Sequence, residues 1–370
     1  MTTTPSPATT EHLTTWRRLV DEAVVATFGP TRHEVSASGV EGRTVVDVAE
    51  RAATGGKRLR ALLCLAAAEV CGSDRVVRGS AEVGAAAALE LFQAAALVHD
   101  DLMDASDTRR GAPSTHRHLE AVSYPGSGDV TARERFGSSG ALLVGDLLLT
   151  MSATTLHAAV LPLDRDVAAA ALRTYSAMAS EVAVGQYLDL LASHAPWTDD
   201  GTDLERAERV IHAKSARYSV ELPLHLGGVL GGASDEQLDW LGRLGRDVGT
   251  AFQLRDDLLG VFGDPAVTGK PAGDDLREGK RTVLVALAYR AADEPDRALL
   301  RDGLGRPDLA PDEIDAIRGV LERTGALAEV ESQIDQLAAS TEDVLARPPH
   351  GTGDTTVLRA LLESAVRRTA

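Results

Sequence analysis

Leu89-Glu90-Leu91-Phe92-Gln93-Ala94-Ala95-Ala96-Leu97-Val98-His99-Asp100-Asp101-Leu102-Met103-Asp104 is the stretch whose reading decides the fold. It is apolar nearly all round, the pattern of a buried helix, yet it ends in three aspartates. Asp100 and Asp104 are four residues apart and share a face, with Gln93 two turns earlier on it. Carboxylates this dense are expensive to bury unless something neutralises them. Asp-Asp-x-x-Asp suits Mg²⁺ held between carboxylates and the phosphates of a bound molecule. A second acidic stretch, Phe252-Gln253-Leu254-Arg255-Asp256-Asp257-Leu258-Leu259-Gly260, also sits in an apolar helical context. Cations follow each: Arg109-Arg110 after the first, Lys270 and Lys280-Arg281-Thr282 after the second. Two carboxylate sites with cations a few turns on predict a metal–diphosphate clamp.

Outside these motifs the composition favours helices. Hydrophobic residues make up 44% of the chain and aromatics only 4%, with Ala and Leu dominant. The net charge of -17 argues against nucleic acid as a partner. It does not argue against an anionic small molecule, because local cations decide that. Cys64 and Cys71 lie seven residues apart on a predicted helix, too far for an easy bridge. They read as reduced core thiols of a cytoplasmic protein, and no Cys/His spacing suggests zinc. Residues 1–10 are Thr/Pro/Ser-rich and lack the basic start and apolar run of a signal peptide, so they read as a flexible tail. The most apolar window, 83–98, is interrupted by Glu90 and Gln93 and is too short for a transmembrane segment.

The pattern predicts helices over 11–28 (broken by Pro30), 45–53, 61–71, 81–104, 141–160, 166–193, 203–226, 235–262 and 282–292. Helices broken at Pro307, Pro311, Gly325 and Pro348-Pro349 follow. Residues 105–139 read as a long irregular loop with a mobile insertion at 123–129. Residues 263–279 read as a loop rich in Gly, Pro and charge. The glycine pairs 227-228 and 231-232 are expected to loosen their segment. No strand is convincing. A single all-α domain over 11–370 fits best.

Taken in order, these motifs resemble the trans-isoprenyl diphosphate synthases, the polyprenyl synthetase family. The resemblance spans about residues 55–282 and rests on Gly55-Gly56-Lys57-Arg58-Leu59-Arg60, the first acidic motif with Arg109-Arg110-Gly111, and Phe252-Gln253-x-x-Asp256-Asp257. Lys214-Ser215, Lys270 and Gly279-Lys280-x-Thr282 add to it. It implies an isoprenoid-synthase-type helical bundle around a deep central cavity, commonly a homodimer, with the apolar 141–160 helix a candidate for the interface. The implied reaction joins isopentenyl diphosphate to an allylic diphosphate, such as the dimethylallyl, geranyl or farnesyl ester. The allylic C–O bond ionises, and metal and cations take up charge on the leaving group. By the resemblance, Asp100 and Asp104 hold two Mg²⁺ and Asp256 a third once diphosphate is bound, with Asp101 and Asp257 in support. Arg109, Lys214, Lys270 and Lys280 contact the allylic diphosphate. Lys57, Arg60, Gln93 and Arg110 form the metal-free pocket for isopentenyl diphosphate, a role that suits Arg. Gln253 and the hydroxyl of Ser215 stabilise the cation by oxygen dipoles, and the released diphosphate takes the final proton. His99, off the Asp100–Asp104 face, reads as structural.

The chain departs from the family pattern in three places. Gln93 stands where His is common, and Ser215 where Thr is common. Gly260 stands where the second motif usually ends in a third aspartate. That loss either weakens the third metal or removes a water-mediated contact; the remaining Asp256, Asp257, Lys270 and Lys280 favour the latter. Asp274 and Asp275 are acidic neighbours of undefined role, and residues 261–282 are expected to act as a water-excluding lid. Two rivals stand beside this reading: a class I terpene cyclase, opposed by the second cationic set, and a non-catalytic partner subunit of a heteromeric synthase, supported only by Gly260. Product length is read from the helix before Asp100. Ala95 and Ala96 leave room where short-chain synthases commonly carry an aromatic. Phe92 one turn deeper is the candidate floor, with Leu147 or Met151 as the competing one. One turn is about 5.4 Å, near the reach of one isoprene unit, so the expected product is the twenty-carbon geranylgeranyl diphosphate.

Overall fold

The computed structural model describes residues 6–122, 129–198, 200–264 and 273–367, and helices dominate them. In chain order they are α1 Pro7–Glu34, α2 Gly39–Ala53, α3 Leu59–Val70, α4 Ala81–Met103, α5 Thr115–Val122, α6 Val130–Val160, α7 Arg165–His194 and α8 Thr202–Val210. A π-helical segment, Ile211–Glu221, leads directly into α9 Leu222–Leu230. Then come α10 Asp235–Phe262, α11 Asp274–Arg277, α12 Val283–Ala291, α13 Glu294–Gly303, α14 Pro311–Arg323, α15 Ala326–Leu345 and α16 Thr356–Val366. The sheet among the described residues is a single two-residue ladder, β1 Thr108–Arg109 against β2 Ala112–Pro113.

Contacts divide the chain into two compact units. The first comprises Met1–Leu172, Leu226–Ala233 and Thr356–Leu358. Its centre is α4, capped at its start by the Ser80 hydroxyl and packed against α1, α2, α3 and α6. The run of alanines on α4 is what allows this, because small side chains bring helix axes close: Ala85 to Ala88 are fully buried. The Ser152 hydroxyl on α6 reaches the Ala88 carbonyl at 2.6 Å. The second unit comprises Arg173–His225, Ser234–Thr355 and Arg359–Ala370. Its centre is α10, entered through a Ser234/Gln237 capping box and packed against the π segment, α11, α12 and α15.

Several expectations change. The tail is shorter than residues 1–10, since α1 starts at Pro7 with Ser6 as its cap and Thr9 is buried. Pro30 does not end α1, because Arg32 beyond it pairs with Asp47 and Glu50 of α2 and holds the last turn. Residues 105–139 are not one loop but the β1–β2 hairpin, α5 and the start of α6; residues 123–128, part of the expected mobile insertion, lie outside the described residues. Gly137 is no breaker. It lies inside α6, where a Cβ would come within 2.5 Å of the His116 carbonyl and the Glu120 side chain. Gly227 and Gly231 likewise tighten rather than loosen: a Cβ at Gly227 would overlap the Cys64 carbonyl oxygen, and one at Gly231 the Ala68 carbonyl, both on α3. The expected 203–226 helix is α8, the π segment and α9 in unbroken succession.

Two helices, α4 and α6, have the length and composition to cross a membrane, so the expected window was too short. The apolar window of α4 is 72% buried inside the first unit, which accounts for its character as a core helix. That of α6 is 39% buried, and Leu142 and Leu143 are exposed.

Candidate active site

In the first unit, the Asp-rich end of α4 and the Gly55–Arg60 turn meet at the β1–β2 hairpin. Asp101 is buried, and the Arg109 guanidinium donates to it from Nε at 2.8 Å. The same guanidinium lies 3.7 Å from Asp100. Arg109 therefore fixes the first motif as well as standing next to it. Asp100 and Asp104 are partly exposed, and Asp104 caps α4 through its backbone N–H to the Asp100 carbonyl. His99 turns away to α6, at 3.1 Å from the Leu142 carbonyl, and packs on Gly145.

The cations of the Gly55–Arg60 turn are not equivalent. Arg58 has a left-handed backbone, is buried, and pairs with Asp21 at 2.8 Å and Glu90 at 3.2 Å. Glu90 also accepts from the Ala61 N–H in the first turn of α3, at 3.2 Å. Arg58 is thus a structural pin, and Lys57 and Arg60 on either side of it are more exposed. Arg110, also left-handed at φ 54°, donates to the Thr54 carbonyl at 3.2 Å. Its guanidinium covers Gly56 so closely that a Cβ there would lie 2.8 Å from Nη2. Arg110 titrates below its ordinary value, first through burial and then through the charge of Arg58, with Glu90 opposing. The structure therefore brings Arg110 onto the loop that carries Lys57, and crowds positive charge there. Gln93, on the α4 face of Asp100, is partly exposed, while Phe92 and Ala95 are buried and Ala96 partly so.

In the second unit the pattern repeats. Asp256 is exposed, and its neighbour Asp257 is buried and bonded by the Gln253 amide, Nε2 to Oδ1 at 2.7 Å. Burial first, and then the charges of Asp275, Asp256 and Asp189, push the Asp257 carboxyl well above the usual carboxylate range; Gln253 opposes them. Four carboxylates thus share one neighbourhood. Lys214 and buried Ser215 lie on the π segment, and Lys214 Nζ reaches Asp189 Oδ2 on α7 at 2.6 Å. Lys280 is 2.5 Å from Glu278 and 3.8 Å from Asp275. Its neighbour Arg281 stacks on Trp197, and Thr282 caps α12, so the backbone on both sides is fixed. Lys270 lies outside the described residues, as does much of the expected lid.

The sequence reading missed Arg58–Glu90, Asp189 and Glu278. Only Asp189 left a signal, a lone acid within Tyr187-Leu188-Asp189-Leu190-Leu191. No three Asp, Glu, His or Cys side chains among the described residues form a ready-made metal cage. Mg²⁺ does not require one, because it takes one or two carboxylates together with phosphate oxygens and water. The donor set fits such an ion: hard carboxylates one helical turn apart at Asp100 and Asp104, and a crowd of carboxylates around Asp257 whose repulsion a divalent cation would relieve.

Residues 43–321 match the family model for polyprenyl synthetase. The chain belongs to the polyprenyl synthetase family. Its fold is the all-α isoprenyl synthase fold, and as a member it is a trans-prenyl diphosphate synthase, a prenyltransferase. It is 32% identical to the geranylfarnesyl diphosphate synthase of Aeropyrum pernix, over 85% of this chain and 91% of that one. It is 34% identical to the octaprenyl diphosphate synthase of Escherichia coli strain K12, over 75% and 77%. Among solved structures it resembles a geranylgeranyl pyrophosphate synthase from Corynebacterium glutamicum complexed with isoprenyl diphosphate and magnesium. The TM-score is 0.87 and the identity 37%, over 96% of this chain and 99% of that one.

Proposed function

We propose that this polyprenyl synthetase is a Mg²⁺-dependent, chain-elongating enzyme that condenses isopentenyl diphosphate with an allylic diphosphate, with geranylgeranyl diphosphate as its main product. The observation that carries this reading is the repeated arrangement at the two motifs. In each Asp-Asp pair the second carboxylate is buried and held by a donor of its own unit, Arg109 or Gln253, and the first is the more exposed. The held carboxylate is fixed in place, and the first presents more of its surface to solvent, where a metal would approach. Asp100, Asp104 and Asp256 would hold the metal; Asp101 and Asp257 would orient them. Bound Mg²⁺ would supply the positive charge that a departing diphosphate requires. Lys214 and Lys280, each held at a carboxylate, are preorganised to receive that leaving group, and Lys270 and Arg109 are the further cations that the family pattern assigns to it. Gln253, oriented through Asp257, and Ser215 would present oxygen dipoles to the allylic cation. The isopentenyl double bond attacks that cation, a C–C bond forms, and the proton lost from the adjacent carbon goes to the released diphosphate.

The second diphosphate site rests on Arg110 over Gly56, next to Lys57 and Arg60, with Gln93 on the adjoining helix. The product length rests on the small Ala95 and Ala96 and the buried ring of Phe92. Exposed Leu142 and Leu143 on α6 support a homodimer, and the buried free thiols Cys64 and Cys71 support a cytoplasmic setting. The test is incubation with Mg²⁺, labelled isopentenyl diphosphate and geranyl diphosphate, followed by chromatography of the products. The twenty-carbon diphosphate is expected, and Phe92→Ala should lengthen it. Product formed from the allylic ester alone, without the label, would overturn the synthase reading. A wild-type stop at fifteen carbons would overturn the open-wall argument.

A further inference from the structure

Trp197 stands in the short link that follows α7, within the second unit. The Arg281 guanidinium lies over its ring, 4.0 Å from the centroid. The Tyr289 ring of α12 stacks on it at 4.3 Å between centroids, 20° from parallel. A tryptophan face takes a guanidinium both by charge–quadrupole attraction and by planar stacking. Neither neighbour is loose. Arg281 Nη1 donates to the Ala195 carbonyl, in the same link, at 2.5 Å. Tyr289 is buried, and its hydroxyl accepts from Arg301 at 3.2 Å. The backbone that carries the indole is held as well. Thr198, the next residue, donates from its N–H and its hydroxyl to the buried Asp203 carboxylate, at 2.7 and 3.1 Å.

These contacts tie two of the lysines together. Lys214 is held at Asp189 on α7 at 2.6 Å. Lys280 is the chain neighbour of Arg281, and Arg281 is held by Ala195 and Trp197, six and eight residues beyond Asp189. The end of α7 and its link therefore form one template. One lysine is fixed on it through a carboxylate, the other through an aromatic ring. We propose that Trp197 is a positioning residue for Lys280, and that with Arg281 it sets the spacing between Lys280 and Lys214. This rests on the reading above, in which both lysines receive the allylic diphosphate. Two point charges grip one diphosphate only at a suitable separation, so a shift of Lys280 costs affinity for that substrate. The other role for Trp197 is plain packing at the end of α7. That role predicts a loss of stability with no bias towards one substrate.

The experiment is a double-mutant cycle on the full chain, read by steady-state kinetics with geranyl diphosphate and isopentenyl diphosphate. Trp197→Leu removes the ring. It should raise the apparent KM for geranyl diphosphate about tenfold, within the range for a partly desolvated cation–π contact, and leave the isopentenyl KM unchanged. Trp197→Phe keeps a ring face and should recover most of that affinity. In a Lys280→Ala background, Trp197→Leu should have little further effect, because the residue it positions is gone. Arg281→Lys keeps the charge, gives up the planar guanidinium and should match Trp197→Leu. It puts the same question should the leucine variant fail to fold. A Trp197→Leu penalty that persists undiminished in the Lys280→Ala background, or falls equally on both substrates, would make the ring a packing residue and overturn the proposal. If Lys280→Ala leaves the geranyl KM at the wild-type value, the assignment of Lys280 to the allylic diphosphate fails. If Lys280→Ala raises it while Trp197→Leu and Arg281→Lys do not, only the role of Trp197 fails.

Discussion

Arg110 is held in a left-handed backbone conformation, a state that costs about 1 kcal/mol or more outside glycine. A donor bond to Thr54 and the flat seat on Gly56 hold it there. The seat depends on hydrogen at Cα, since Gly56 itself stands at φ +100° and a methyl would press on the guanidinium. Gly56→Ala is therefore expected to displace Arg110. Steady-state kinetics should give an apparent KM for isopentenyl diphosphate raised about tenfold, the equivalent of roughly 1.4 kcal/mol, with the allylic KM nearly unchanged. Equal loss for both substrates would separate Arg110 from the isopentenyl pocket. The acids and bases of the site were legible in the sequence at this scale, because their types and order are unusual in an apolar chain. Their partners were not. Arg58 meets Glu90, and Lys214 meets Asp189, across intervals of 32 and 25 residues that no local spacing encodes.

The π segment is the element whose form the sequence did not reveal. Propensity treats Ile211–Glu221 as ordinary helix, since a wider turn differs only in which carbonyl each N–H selects. Its neighbours explain where it can fit. A Cβ at Gly185 on α7 would lie 2.6 Å from the Lys214 Cα, and a Cβ at Gly249 or Gly245 on α10 would press on the backbone at Ala216 or Glu221. Three glycines on two helices thus seat the segment that carries Lys214 and Ser215. Gly185 is also one turn before Asp189, the partner of Lys214. Gly185→Ala is expected to push the segment off α7 and break the Lys214–Asp189 register. It should lower kcat about tenfold and raise the allylic KM, while the isopentenyl KM holds. Unaltered kinetics with a lowered melting temperature would make the glycine a packing residue alone. Periodic elements without such crowding were placed well from sequence: α10 spans Asp235–Phe262, the residues that the sequence pattern predicts. Residues 105–139 were not, because Gly137 serves close packing rather than a turn.

At the scale of the whole molecule, the exposed leucines of α6 carry the prediction. Leu142 and Leu143 are 49% and 60% exposed, on a helix whose other face packs on α4. Burying a leucine is worth about 1.5–3 kcal/mol, so a charge there should be costly to association. Sedimentation of the wild type should give twice the 38.9 kDa chain mass, and Leu143→Glu should shift it towards one chain. A wild type that sediments as one chain removes the homodimer. The buried Arg58 has a consequence for the order in which the chain can set during synthesis. Its partners, Asp21 and Glu90, lie before and well after it, so the turn carrying Lys57 and Arg60 should settle only once α4 has emerged and packed, and a nascent chain halted before residue 90 should hold that turn open.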